Sequence, residues 1–324
     1  MGAGNMGTAL AQVLAGNGHS VRLWSIEADV LQEIRDRRLN SKYLEGITLH
    51  PAIEPVWEAG KAIAGATLVV VSVPSQAVGA LARDLARYVT PDQVLLNVAK
   101  GLEGGAHLRM SEVISRACGE GLHGRVGSMG GPAIAIEIAK GHPMAVIIGF
   151  RQSDACMTAQ SLLQNGQLKV CTTTDLCGLE LCATLKNVYA IALGMADGLG
   201  LGANTKAFLA TLALEEMCEI NTSLGGERDT VYGLAGVGDL LTTGYSAHSR
   251  NRTLGEKLGA NKDWQLFLRT NTVEGVTACR AVVELLGEQR GRLPLLNLVY
   301  EVLFERRPAP EAMRAFLQDF AYDA

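Results

Sequence analysis

A chain of 324 residues with 48% hydrophobic content is long enough for two domains, each with its own core. A formal net charge of −4 and an isoelectric point near 5.9 leave no basic footprint, which argues against nucleic acid or anionic membrane surfaces as partners. Seven scattered cysteines, odd in number and without a CxxC or a His/Cys cluster at metal-ligand spacing, read as small core residues in a reducing compartment, so no metal is expected.

The chain opens on Gly2-Ala3-Gly4-Asn5-Met6-Gly7, a GxGxxG turn running into a helix that ends near Gly16 to Gly18. Its glycines permit a tight turn and let backbone amides approach a pyrophosphate at the helix N-terminus. Alone the pattern is weak, because it often marks only a flexible loop. Here it is followed by a strand over 20–24 and then by Glu27, twenty residues after Gly7, where a ribose-binding carboxylate belongs. Such a turn normally follows the central strand of a doubly wound sheet, yet only Met1 precedes Gly2. The expectation is a sheet whose first strand is missing from this sequence, through a start assigned too late.

The next segments alternate as βα units: a helix over 29–38, a loop over 39–56, and an apolar strand over 67–73 ended by Pro74. A helix over 76–88 and a strand over 93–97 follow. Lys100-Gly101 then lies at the carboxyl end of that strand, the edge where open α/β sheets bind ligands. Lys100 is either a substrate or phosphate contact or an ordinary surface lysine. A strand over 125–128 leads through Gly130-Gly131-Pro132-Ala133-Ile134-Ala135 into a helix reaching about Lys140, whose first amides can face a ligand. The segment 144–149, a helix over 154–163 and a strand over 168–172 complete a first domain, 1–174. The longest apolar runs, such as 67–73 and 144–148, are too short to cross a bilayer, and no signal peptide is evident, so a cytoplasmic protein is expected.

After Asp175, a plausible helix cap, the strand pattern stops, and 175–324 reads as a helical substrate and catalytic domain. Helices are predicted over 176–196, 205–224, 254–258, 277–286, 295–304 and 310–320. In the first of them Lys186 shares a stripe with Leu179, Cys182, Ala183, Ala190 and Leu193. A lysine there either snorkels to water or is buried, and burial disfavours its charged form and brings it toward proton exchange near neutrality. Further on, the glycine-dense stretch 233–241 delivers one carboxylate, Asp239, which either serves chemistry or caps a helix. Ser246-Ala247-His248-Ser249-Arg250-Asn251-Arg252 gathers hydroxyl, amide and guanidinium donors of the kind a phosphate needs. A solvated loop with a helix cap is the plainer alternative.

Taken together, these motifs resemble the soluble NAD(P)-dependent bacterial-type glycerol-3-phosphate dehydrogenase family over essentially the whole chain. The resemblance is carried by the glycine turn, Val73-Pro74-Ser75, Lys100-Gly101-Leu102-Glu103, 131–137, Leu185-Lys186-Asn187-Val188-Tyr189-Ala190-Ile191, Gly236-Val237-Gly238-Asp239-Leu240, Ser249-Arg250-Asn251-Arg252 and Val273-Glu274-Gly275. It implies a Rossmann domain, a doubly wound parallel sheet, followed by an all-α domain. The implied activity is reversible reduction of dihydroxyacetone phosphate by NADH or NADPH to sn-glycerol 3-phosphate, the backbone precursor of glycerophospholipids. By position, Lys186 is the implied acid/base, framed by Lys100 and Asp239. Gly131, Ala133, Ser249, Arg250 and Asn251 fall at substrate-binding positions together with Lys100, Lys186 and Asp239. Gly2, Gly4, Asn5, Met6, Gly7, Lys100, Ala135, Arg250, Thr272 and Glu274 fall at cofactor-binding positions. A homodimer is implied.

Three positions depart from that pattern. Ala133 stands where relatives carry serine or threonine, Met6 replaces the usual aromatic, and Ile26 occupies a site that is often polar or basic. Glu27 repels a 2′-phosphate, whereas Arg35, Arg37 and Arg38 can fold back to attract one, so NADH and NADPH both stay open. The alternatives are a dehydrogenase of another small hydroxy acid or polyol phosphate, and a non-catalytic nucleotide-binding remnant.

Overall fold

Apolar runs of four to six residues, each separated by an amphipathic helix, set the first part of the chain. In order they give α1 (Asn5–Gly16), β1 (Val21–Trp24), α2 (Ala28–Arg37), β2 (Ile53–Val56), α3 (Ala59–Ile63), β3 (Leu68–Val71), α4 (Ser75–Leu85), β4 (Val94–Asn97), α5 (Met110–Cys118), β5 (Val126–Gly130), α6 (Ala135–Ala139), β6 (Met144–Gly149), α7 (Ser153–Leu163) and β7 (Leu168–Thr173). This computed structural model describes residues 1–122 and 124–319. The chain divides into two units, the first holding 1–103 and 108–180, the second 104–107 and 181 onward.

In the first unit β1 and β2 pair in parallel, with Val21 opposite Ile53. β3, β4 and β5 pair in parallel in a second group, to which β6 and β7 are added. Among the described strands β5 and β6 pair antiparallel, with Met129 facing Ile148. Strands this apolar must be covered on both faces. One face packs against Leu10 of α1 and Leu163 of α7, the other against Leu85 of α4 and Ile114 of α5.

The residues at the head of the glycine turn lie between β1 and β3. Residues 1 and 2 bridge the two edges: the Met1 amino group donates to Val70 O, Ser72 N to Met1 O and Gly2 N to Trp24 O, each at 2.8 Å. Beyond them the two edges border a cavity of about 420 Å³ whose lining includes Leu10, Leu14, Val21, Leu23, Leu68 and Val70. The glycine turn is therefore anchored to both edges.

The segment 39–56, expected as loop, carries β2 at its end. Ile53 and Val56 are buried but Pro55 interrupts the pattern, so a four-residue edge strand leaves almost no period to read. α3 and α5 were likewise not anticipated.

The second unit is helical: the rest of α8 (Leu176–Gly198), then α9 (Ala203–Ser223), α10 (Arg228–Tyr232), α11 (Asp239–Tyr245), α12 (Arg250–Gly259), α13 (Trp264–Thr270), α14 (Glu274–Leu286), α15 (Pro294–Phe304) and α16 (Ala309–Asp319). Phe320, placed in the last predicted helix, lies outside the described residues. By length and composition α8 could cross a membrane, contrary to the sequence reading, but 94% of its most apolar window is buried inside the protein, which makes it a core helix.

α8 and α12 meet through interlocked glycines. A Cβ on Gly194 of α8 would lie 2.0 Å from Arg252 O, and one on Gly255 of α12 would lie 2.0 Å from Ile191 O. Gly198 and Gly259 are equally tight, at 2.1 Å from Glu256 O and 2.3 Å from Met195 O. Two small-xxx-small stripes thus let the backbones touch, and they fix the spacing between the helix that bears Lys186 and the helix that begins at Arg250.

Candidate active site

In the first unit the GxGxxG glycines play different parts. Gly2 has φ +104° and a Cβ there would lie 2.2 Å from Ser72 O; a Cβ on Gly7 would lie 2.0 Å from Gly2 O. Both are needed to close the turn. Gly4, the N-cap of α1, has no heavy atom within 4 Å of a built Cβ and no side-chain cap. It leaves an open face beside the uncapped first amides of a 12-residue helix, the arrangement that fits a dinucleotide pyrophosphate. Asn5 is exposed and donates to Tyr43 O at 2.6 Å. Met6, Ala133 and Ala135 are half-buried and pack against one apolar cluster.

Glu27, three residues beyond β1, has its carboxylate held by Lys42 and by the Tyr43 hydroxyl, which donates at 2.7 Å. Lys42 and then Tyr43 hold it below the usual carboxylate range. Two of the three arginines expected to fold back have other partners. Arg38 donates to Ile53 O at 2.6 Å, and Arg35 pairs with Asp36 while stacking on Trp57.

Lys100 follows β4 and is half-buried. Asn97, the last residue of that strand, shapes its approach: Asn97 Oδ1 accepts from Ala99 N at 3.1 Å and Nδ2 donates to Ala99 O at 2.9 Å. Gly131 follows β5 with φ +95°.

In the second unit Lys186 is buried. Its ammonium donates to Asp239 Oδ1 at 2.8 Å and to Thr243 Oγ1 at 2.5 Å, and the Lys186 and Asp239 side chains are only 8% and 2% exposed. A π-helical turn, Leu234–Gly238, feeds the buried Asp239 into the start of α11, and Thr243 stands one turn later on the same face. The glycine-dense stretch 233–241 is thus helical from Leu234 onward. Thr243 escaped the sequence reading; its signal was the i, i+4 spacing from Asp239.

A second knot joins α8, α12 and α14. Asn251 Nδ2 donates to Asn187 Oδ1, and Gly275 N donates to Asn251 Oδ1, both at 2.8 Å. Asn187 Nδ2 reaches Glu274 at 3.4 Å. Asn251 and Glu274 were anticipated, whereas Asn187 was recognised only as part of a motif. Ser249 caps α12 by accepting from Arg252 N at 3.2 Å. Arg250 is exposed and its side chain forms no ion pair among the described residues; Thr272 is also exposed. Arg252 instead turns back onto Asp197 through Nε at 2.7 Å and Nη2 at 2.6 Å.

An ammonium buried against a carboxylate and a hydroxyl can give up a proton in a direction set by the fold. An exposed guanidinium beside a serine at a helix N-terminus suits a phosphate. Among the described residues no group of three or more His, Cys, Asp or Glu side chains is placed to hold a metal.

Residues 1–156 match the family described as NAD-dependent glycerol-3-phosphate dehydrogenase N-terminus, and 175–314 match the corresponding C-terminus family. The glycerol-3-phosphate dehydrogenase [NAD(P)+] of Geobacillus thermodenitrificans is 38% identical over 320 residues, 98% of this chain and 93% of that protein. The Chlorobium luteolum protein of the same name is 35% identical over 97% of this chain and 95% of its own length. Among solved structures, glycerol-3-phosphate dehydrogenase from Coxiella burnetii superposes with a TM-score of 0.91 at 31% identity, covering 98% of this chain and 97% of that one.

Proposed function

The chain belongs to the NAD-dependent glycerol-3-phosphate dehydrogenase family, and on that premise we infer that it reversibly reduces dihydroxyacetone phosphate to sn-glycerol 3-phosphate with NADH or NADPH, supplying the glycerophospholipid backbone. The reaction adds a hydride to C2 of the ketone and a proton to its oxygen. The bound nicotinamide supplies the hydride. Lys186 gives the proton in reduction and takes it back in oxidation, while Asp239 and Thr243 hold its ammonium in one place. Arg250 and Ser249 are assigned to the phosphate, and Lys100, at the β4 edge of the first unit, is assigned to a substrate contact.

The observation that carries this reading is the buried Lys186–Asp239 pair, which a nucleotide-binding remnant has no need to keep. A spectrophotometric panel tests it. Purified protein should oxidise NADH or NADPH with dihydroxyacetone phosphate and leave ketopantoate and 3-oxo acids untouched; the reverse preference rejects the substrate assignment. A cytoplasmic homodimer completes the proposal. It rests on the resemblance to relatives, and light scattering of the purified protein tests the dimer.

A further inference from the structure

We propose that Glu180, buried near the start of α8, is a positioning residue that sets the place of Lys100 through Ser128 and Asn97. The proposal rests on the reading of Lys100 as a substrate contact, and adds to it which group holds the strand end that presents this lysine.

Asn97 ends β4 and stands opposite Ser128 of β5. Its Nδ2 donates to Ser128 Oγ at 3.2 Å and to Ala99 O at 2.9 Å, while its Oδ1 accepts from Ala99 N at 3.1 Å. For Ser128 Oγ to accept from Asn97, its own proton must point elsewhere, and Glu180 Oε1 takes it at 2.8 Å. The carboxylate thereby directs the serine, the serine directs the asparagine, and the asparagine holds both backbone groups of the residue before Lys100. Glu180, Ser128 and Asn97 are 5%, 1% and 1% exposed, so water does not replace a lost link.

The same carboxylate also holds the start of α5, where the chain returns from Lys100. Ser111 donates to Glu180 from its amide at 2.9 Å and from Oγ at 2.5 Å, and Arg109 Nη1 reaches it at 3.4 Å. Glu103 N donates to Leu108 O at 2.8 Å and Leu102 bridges Arg109, so the arm leaving β4 is paired with the arm entering α5. Both feet of the segment that bears Lys100 therefore end on one side chain. Fastening α8 to the sheet does not require a carboxylate, since a packed apolar side chain is often as stable as a buried charge. Nor does an ion pair explain it, because Arg109 lies closer to Glu112, at 2.6 Å. Directing two hydroxyls and an amide does require an acceptor there.

Steady-state kinetics with dihydroxyacetone phosphate, NADH titration and melting curves on Lys100→Met, Ser128→Ala, Glu180→Ala, Glu180→Gln and Lys100→Met/Ser128→Ala test this. Lys100→Met should raise KM for dihydroxyacetone phosphate. Ser128→Ala and Glu180→Ala should each raise it about tenfold, with the NADH dissociation constant little changed. In Glu180→Gln the Ser111 amide can only donate, so the glutamine oxygen takes the Oε1 place and still accepts from Ser128. That variant should recover most of what Glu180→Ala loses. Ser128→Ala should add no further rise to Lys100→Met, whereas a residue that only supports the fold would worsen both backgrounds equally. Ser128→Ala removes a single hydroxyl and keeps the test independent of any loss of fold in Glu180→Ala. A raised KM in Lys100→Met with none in Ser128→Ala, rises that multiply in the double variant, or Glu180→Gln no better than Glu180→Ala overturns the proposal alone. An unchanged KM in Lys100→Met overturns the substrate contact beneath it, and the proposal with it.

Discussion

Lys186 and Asp239, fifty-three positions apart in the chain, form a buried ion pair in which the ammonium lies 2.8 Å from Oδ1. Removing one member leaves an uncompensated charge away from water, a loss of about 3–5 kcal/mol, whereas replacing both by apolar side chains of similar volume is close to neutral. Asp239→Ala should therefore lower unfolding stability by about that amount, and Lys186→Met/Asp239→Leu should recover most of it. Urea unfolding of the three proteins checks this. Equal losses in the single and double variants would mean that the pair does not contribute as a unit.

Glycines in the two units should respond oppositely to alanine. At Gly255 a Cβ would lie 2.0 Å from Ile191 O, so Gly255→Ala must separate α8 from α12, costing about 1–3 kcal/mol. At Gly4 the added methyl meets open space and φ is −72°, so Gly4→Ala should leave the fold at least as stable. It should nevertheless weaken dinucleotide binding, because the methyl enters the face assigned to the pyrophosphate. Melting temperature and NADH titration of both variants read the contrast.

These two cases also show what the sequence made legible. The glycine turn, the apolar strands of the first unit and the length of α8 follow from spacing and composition. α12 was foreshortened to 254–258 because Gly255 and Gly259 weaken a helical pattern when taken alone; their reason is the partner helix, which no local window contains. For Asp239 the chemistry was readable and the structure was not, since glycines at 233, 236 and 238 suggest a loop where a π-helical turn enters α11. The partners of Thr243 and Asn187 lie 57 and 64 residues away, so spacing from Asp239 can place Thr243 on its face of α11 but cannot show that it meets Lys186. β2 was lost for the simpler reason that four residues, one of them proline, carry no usable alternation.

Glu216 of α9 should give the fold a pH dependence near neutrality. Its carboxylate accepts from the Leu295 and Leu296 amides at the start of α15 and from the Tyr189 hydroxyl, yet burial outweighs these bonds and pushes it up to about 7. Because the folded value lies above the ordinary 4.5, the contribution of protonated Glu216 is fully present below about pH 4.5 and is lost as pH rises through about 7. Relative to Glu216→Gln, the wild type should lose up to about 3 kcal/mol between pH 4.5 and pH 8. Denaturant unfolding of both proteins at four pH values measures it, and parallel pH profiles would remove Glu216 as the cause.

The central claim is that Lys186 moves the proton. Its most direct measurement is turnover of dihydroxyacetone phosphate alongside NADH affinity in Lys186→Met, made on an Asp239→Asn background so that no unpaired charge is left buried. Turnover should fall about 10²- to 10⁴-fold below the Asp239→Asn parent, with the NADH dissociation constant changed only slightly. Turnover equal to that of the parent would contradict the account.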